Sequence, residues 1–267
     1  MTKCLILPLA LFAVSACTVE ASGPKDTVDP SIRDQSAFCT TWAKAACNDT
    51  VVANCNEVDT ATCVEHQSAF CQTLVPSTGY SPSQAQDCID AVKAAYADAQ
   101  LDATELDLVL RLGGACSHLV VGPSKQGEPC SQDSDCDTTK NYSCVIKGGD
   151  AQGTCQIPVI QANGAPCDGL AMVCGAGAYC DTDSGDNCLT DKKQGAKCTY
   201  DAMCGDGLRC NIPTDSTDGS GTCDAKLANK ATCTADTDCA AGICRSDTMI
   251  CTSKVILTGA DPICNDL

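Results

Sequence analysis

Side chains able to do acid–base chemistry at neutral pH are scarce in this chain of 267 residues, which holds two histidines, His66 and His118. His118 lies two positions after Cys116, a spacing that would suit a thiolate–imidazole pair if the cysteine were free. In an exported chain this rich in cysteine the thiol is expected to be bridged, and a bridged sulfur is no nucleophile. His66 stands three residues after Cys63 on a polar helix face, where a solvent-exposed side chain is expected. No GxSxG, HExxH, phosphate loop or dinucleotide fingerprint occurs. The chain therefore reads as non-enzymatic, with no catalytic residue and no cofactor.

Metal chemistry is the next possibility. Cys63-x2-His66 has zinc-ligand spacing, but an oxidising compartment consumes thiolates as disulfides. The run DTDSGDN places the carboxylates of Asp181, Asp183 and Asp186 around a glycine, somewhat like the first half of a calcium loop. The closing Glu is missing, since Lys192 occupies the twelfth position, so a solvated Asp-rich turn is the plainer reading. These three acids are the calcium candidates, DSTDGSG at 215–221 is a poorer match, and no metal site is assigned.

Charge and cysteine set the class. The formal net charge is −17, which disfavours nucleic acid and anionic lipid headgroups as partners. Glu occurs only at 20, 57, 65, 105 and 128; the other acids are Asp, a residue of turns and caps. Of 26 cysteines, Cys4 lies within an apolar leader, MTKCLILPLALFAVSAC, which has the layout of a secretory signal. Val14-Ser15-Ala16-Cys17 resembles the bacterial lipobox, in which the cysteine receives a diacylglycerol and becomes the new N-terminus. An ordinary signal peptide cut after Ala16 or Ala21, leaving Cys17 as a stapled thiol, is the competing reading. With Cys4 removed and Cys17 acylated, an even number of cysteines remains, the parity of a disulfide framework. One tryptophan, three phenylalanines and five tyrosines are too few for a large aromatic core, so covalent staples must carry part of the stability.

The elements that position these residues follow from local pattern. Residues 1–16 form the signal, and 17–30 a small, polar tether. Between 31 and 121 the periodicity is helical. Ile32, Phe38, Cys39, Trp42 and Ala46 share one stripe, and Cys63, Phe70, Cys71 and Leu74 another. A third helix starts at Ser81-Pro82 with Gln84 completing a capping box, and a fourth runs from Asp102, three residues ahead of Glu105, to Gly113-Gly114. Cys39 and Cys47 lie eight residues apart, as do Cys63 and Cys71, so each pair is about 12 Å apart along its own helix and cannot bond internally. An antiparallel hairpin brings Cys47 opposite Cys63 and Cys39 opposite Cys71. Pairing shuffled among Cys55, Cys88 and Cys116 is the alternative. The layout is similar to twin-cysteine helical hairpins, with seven intervening residues in place of nine.

From Gly122 the chain repeats, with cysteines at Cys130, Cys136, Cys144, Cys155; then Cys167, Cys174, Cys180, Cys188; then Cys198, Cys204, Cys210, Cys223; then Cys233, Cys239, Cys244, Cys251. Glycine stands three positions before the first cysteine at Gly127, Gly164 and Gly195, with Lys230 in the fourth repeat; GTC recurs at 153–155 and 221–223. Each repeat is expected to be a small loop bundle closed by its own two disulfides. Cys264 is then left over, and parity sends it back to the helical segment, to Cys116 or Cys55 as candidates, closing a ring.

The runs CSQDSDCDTTKNYSC, CTYDAMCGDGLRC and CTADTDCAAGIC resemble the cysteine-rich N-terminal motif of dickkopf proteins. Lipobox, tether, helical cysteine-bearing segment and Gly-x-x-Cys repeats together are similar to myxobacterial-type cysteine-rich surface lipoproteins. That resemblance implies a cell-surface location and a structural or adhesive role; receptor binding of the dickkopf kind is not implied, because only the cysteine motif is shared. The second repeat departs by lacking the Asp-Cys pair seen at Asp135-Cys136 and Asp238-Cys239.

The expected fold is thus small and disulfide-rich: a stapled helical hairpin or bundle, then four loop-rich cysteine repeats with short β-hairpins at 122–160, 161–192, 193–227 and 228–254, and a tail at 255–267. The expected function is a lipid-anchored envelope or surface protein with a structural or protein-binding role, held through Cys17 at the outer membrane or cell surface, with a protein partner and no nucleic acid. A disulfide-stapled inhibitor or ligand-binding protein, or a calcium-dependent adhesion module, are the competing expectations.

Overall fold

The computed structural model describes residues 29–146, 151–183, 185–259 and 263–264. The lipobox cysteine Cys17 and residues 17–28 of the tether lie outside the described residues. The architecture is the one expected: N-terminal helices, then a cysteine-rich region of short, mostly antiparallel strand pairs, with twelve disulfides among the described residues.

Five α-helices form the first domain: α1 (Gln35–Ala46), α2 (Asp49–Cys55), α3 (Thr60–Leu74), α4 (Ala85–Ala95) and α5 (Ala103–Arg111). Short polar side chains start four of them by accepting orphan amide protons of the first turn. Asp34 caps α1 through Ala37 N, and Asp59 caps α3 through Thr62 N. Asn48 caps α2 through Thr50 N and Val51 N while its amide donates to the Tyr96 carbonyl. At α5 the expected capping box is complete, with Asp102 accepting from Thr104 N and Glu105 N, and Glu105 accepting from Asp102 N at 2.8 Å.

Four local expectations differ from the structure. A helix not foreseen, α2, occupies the link between α1 and α3, and Asn48-Asp49 is the cap that starts it. Ser81 caps nothing: Pro82–Gln84 is a 3-10 turn, and α4 begins only at Ala85. At the end of α5 the left-handed residue is Leu112 (φ 57°), one position before the glycine pair. Phe70 is half-exposed, and Gln67 takes its place on the buried stripe at 1% exposure because it accepts a hydrogen bond from the Trp42 indole.

Helices α1 and α3 lie as an antiparallel hairpin with two sulfur rungs, Cys39–Cys71 and Cys47–Cys63, whose α-carbons are 5.4 and 5.9 Å apart. Cys88–Cys116 ties α4 to the turn after α5. Around these rungs Phe38, Trp42, Val92, Tyr96, Leu101 and Leu119 are fully buried, each contributing about 1.5–3 kcal/mol by leaving water. One member of this core comes from the far end of the chain: Leu257, also fully buried.

Its presence there shows that the chain returns. The strand Val255–Ile256 pairs antiparallel with Gln100–Leu101, Leu257 N–H donates to the Ala99 carbonyl at 3.0 Å, and Lys254 lies 3.2 Å from Asp98. Cys55–Cys264, separated by 209 residues in sequence, seals the return. The four repeats are therefore strung between two points of one helical domain. No helix among the described residues is long and apolar enough to cross a membrane.

Candidate functional site

Every repeat joins its first cysteine to its third and its second to its fourth: Cys130–Cys144 with Cys136–Cys155, Cys167–Cys180 with Cys174–Cys188, Cys198–Cys210 with Cys204–Cys223, and Cys233–Cys244 with Cys239–Cys251. In each, the sulfur of the first cysteine lies within 4.8 Å of both sulfurs of the second bridge, so two stacked disulfides take the place of an apolar core. These sulfur clusters have the proximity of a metal site, but their members are disulfides and offer no thiolate.

A common hydrogen-bond frame surrounds the sulfurs. The residue three positions before the first cysteine donates its amide to the carbonyl of the fourth, at 2.7–2.8 Å from Gly127, Gly164, Gly195 and Lys230. All four are left-handed, with φ of 81°, 83°, 83° and 75°, which explains the glycine and marks Lys230 as the strained exception. The glycine of GTC has a different cause: a β-carbon on Gly153 or Gly221 would come within 2.2 or 2.1 Å of the backbone oxygen of Val145 or Asn211 on the neighbouring strand.

Aspartates complete the frame. Asp133, Asp201 and Asp236, each three residues after the first cysteine, accept the amide of the third cysteine at 2.7 Å. Asp135 accepts from Ser131 N and Gln132 N, and Asp238 from Thr234 N and Ala235 N. The third repeat puts Met203 at this second place, its sulfur facing Thr199 N at 3.3 Å. The second repeat, which lacks the Asp-Cys pair, uses Asp168 to hold Leu170 N and Met172 N in its own turn. Much of the acidic composition is thus committed to loop backbone.

Neighbouring units are joined by side chains between the cysteines. Tyr200 of the third repeat donates to the Cys180 carbonyl of the second at 2.6 Å and meets Tyr179 edge-on, with ring centroids 6.3 Å apart. Arg209 of the third reaches Asp238 of the fourth at 2.9 Å, with side chains 18% and 13% exposed. Burial works against ionisation of Asp238, yet the amides and hydroxyl of Thr234 and Ala235 with the Arg209 charge hold its carboxyl below the usual range. At the joint with the helical domain, buried Asp137 is opposed by desolvation in the same way, and its hydrogen bonds from Lys140 and Thr139 lower it nonetheless.

The histidines stand apart from any thiol. His66 is half-exposed with Nδ1 3.8 Å from Glu57, and His118 Nδ1 lies 2.8 Å from the Thr138 carbonyl while Cys116 is bridged to Cys88. The three calcium candidates occupy one hairpin tip between the strands Ala178–Asp181 and Asn187–Thr190. Asp181 is buried at the strand end, Asp183 accepts from the Thr199 hydroxyl at 3.1 Å, and Asp186 is left-handed with its amide on the Asp181 carbonyl. Among the described residues, the groups whose ligand atoms come together are all cysteine sulfurs.

Two features on the surface could meet a ligand. A cleft of about 550 Å³ lies between α5 and the last repeat, its lining combining apolar Leu106, Leu110, Ile243 and Val255 with Arg111 and Arg245. Of the expected loop 211–222, Asn211, Gly221 and Thr222 belong to paired strands, and 212–220 leaves the third repeat as a mostly exposed loop that is internally braced: Asp218 accepts from Ser220 N and from the hydroxyls of Ser216 and Ser220 and pairs with Lys197 at 3.0 Å. Those hydrogen bonds, Ser220 foremost, hold the Asp218 carboxyl well below its ordinary value.

Twelve disulfides, the stacked sulfur pairs and the paired turns define a disulfide-rich protein of the extracellular or exported kind, suited to a structural or binding role. Residues 172–214, from the second repeat into the third, match the Dickkopf N-terminal cysteine-rich region. The chain is similar to that region over those residues, which include CTYDAMCGDGLRC. A comparison with curated proteins found no match. A comparison with solved structures found none either.

Proposed function

We propose that this chain is a non-enzymatic, lipid-anchored surface protein that presents rigid inter-cysteine loops to a protein partner. The single observation that carries the reading is the internal bracing of the exposed loop 212–220 on a unit whose core is two stacked disulfides. A loop ordered before binding loses less conformational entropy on contact, so such a loop is suited to recognition. Acylation at Cys17 would place the ring of units at the membrane surface, with 17–30 as spacer; the lipobox-like leader supports this. The test has two arms. Wild-type protein should partition into detergent and carry the mass of an acyl group, and Cys17→Ala should do neither; an aqueous, unacylated wild type would remove the anchor. Replacing 213–218 with a Gly-Ser run should abolish capture of the surface partner while leaving the melting temperature within a few degrees, and undiminished capture would remove the presenting loop.

The cleft between α5 and the last repeat favours a second reading, a ligand-binding protein. Replacing Leu110, an exposed residue of its lining on α5, by Lys should then abolish small-molecule binding without touching capture through 212–220.

A further inference from the structure

The strand Val159–Gln161 is bonded on one side only. It runs parallel to Met172–Cys174, with Val159 N–H donating to the Ala171 carbonyl and the Gln161 carbonyl accepting from Gly175 N–H. By alternation, the N–H and C=O of Ile160 face the opposite edge, where no other strand is paired among the described residues. The side chains along this edge are the most concentrated apolar exposure in the repeats: Ile157 at 46%, Val159 at 56% and Ile160 at 75%. In a chain of net charge −17, no charged residue occurs from Ala151 to Cys167.

We propose that this edge is a self-association site, at which Val159–Gln161 pairs antiparallel with the same strand of a second copy about a two-fold axis through Ile160. The backbone groups on the edge fit that partner. Opposed Ile160 residues exchange two N–H to C=O bonds, and the next bonding pair sets Ala162 against Pro158 of the other copy. Ala162 N–H then donates to the Pro158 carbonyl. The reverse bond cannot form, since proline has no N–H, and none is needed, because the Ala162 carbonyl already accepts from Ala165 N–H at 3.0 Å. The seam thus closes with four hydrogen bonds and leaves no orphan acceptor at its ends. Charge selects the same occupant: two uncharged strips meet without the acid–acid repulsion that contact elsewhere on so acidic a chain would carry, whereas a basic peptide would find no carboxylate along this edge. The contact is isologous and closes at two copies. This surface is independent of the loop and the anchor proposed above.

Sedimentation equilibrium of the full exported chain from about 1 to about 500 µM should give a monomer–dimer equilibrium, with a dissociation constant of about 10–100 µM for so short a seam. Ile160→Asp opposes two carboxylates at the axis and should weaken the dimer at least about tenfold while leaving the melting temperature of the monomer unchanged, because the side chain is exposed. Hydrogen exchange supplies the second readout: the Ile160 and Ala162 amides should slow as concentration rises, and the Val159 amide, already bonded within its unit, should not. A monomer at every concentration, a dimer indifferent to Ile160→Asp, or growth beyond two copies would each overturn the proposal.

Discussion

Removing the ring-closing disulfide is the sharpest test of how this chain is held. In Cys55→Ala/Cys264→Ala both sulfurs go together, so no free thiol remains to shuffle the other bridges. The crosslink spans 209 residues, and the shortest covalent route between its ends through the other bridges is still about 120 residues. Chain-entropy closure of a loop that long amounts to about 5 kcal/mol at 25 °C. The native contacts that hold the tail, the Gln100–Leu101 to Val255–Ile256 pairing and buried Leu257, survive the substitution, so the loss falls on the unfolded state. Trp42, the single tryptophan, is fully buried in the helical core and reports its unfolding. Urea denaturation followed by its fluorescence, without reductant, should show the double variant destabilised by about 3–5 kcal/mol. A loss below about 1 kcal/mol would refute the idea that the ring constrains the helical domain, and would mean that the repeats stay folded and keep the two ends near each other when that domain unfolds.

Asp236→Ala strips the acceptor from the Cys244 amide and should cost the last repeat about 1–2 kcal/mol, read from the denaturant midpoint; Asp133→Ala and Asp201→Ala should behave alike in their own repeats. Lys230→Gly relieves a left-handed lysine where three repeats carry glycine, and should raise stability by up to about 1 kcal/mol, whereas Gly195→Val should lower it by about 1–2 kcal/mol because the site is open and the penalty is purely backbone. Asp137 and Asp238 have carboxyls lowered in the folded state, so their contribution is complete above about pH 4, the unfolded value, and fades as pH falls through the folded values; melting temperature should drop across that acid range, less steeply in Asp238→Asn. Chelator should leave proteolysis around 181–187 unchanged, and protection of that hairpin by millimolar calcium would make Asp181, Asp183 and Asp186 ligands after all.

The helical half was legible where its sequence is periodic. An eight-residue cysteine spacing on two helices admits one antiparallel pairing with both rungs in reach, and α1 and α3 make it. The stripe failed at Phe70 for a reason periodicity cannot register: a buried indole N–H needs an acceptor, and Gln67 one turn away supplies it. Short segments were missed for a related reason. Helix α2 has two turns and only two buried residues, Val51 and Cys55, too few to set a period, so its Asn48 cap is the clearer signal, and the Gln100–Leu101 to Val255–Ile256 pair is too brief and too distant in sequence for any local signal.

In the repeats, spacing announced the units and their self-containment but not which sulfurs join, because four cysteines admit three pairings and the choice is made by a hairpin that sets the third directly opposite the fourth. Cys144 stands across from Cys155, Cys210 across from Cys223 and Cys244 across from Cys251, yet none of these facing pairs is bonded to each other. Each sulfur instead reaches a cysteine off the hairpin, so that two bridges cross and stack. That crossing requires the segment bearing the first two cysteines to be held against the hairpin, and the Asp-to-amide bonds at 133, 201 and 236 do the holding. The signal for it was in the sequence as the Asp three places after the first cysteine. Its absence from the second repeat, at Leu170, coincides with the one unit that replaces the isolated parallel bridge at Ser124, Lys192 and Leu227 by a full strand, Val159–Gln161. The unit that departs from the pattern is therefore also the one that exposes an open strand edge: its carboxylate pin, Asp168, holds Leu170 N and Met172 N, not the amide of the third cysteine, and parallel backbone pairing joins its first segment to Met172–Cys174.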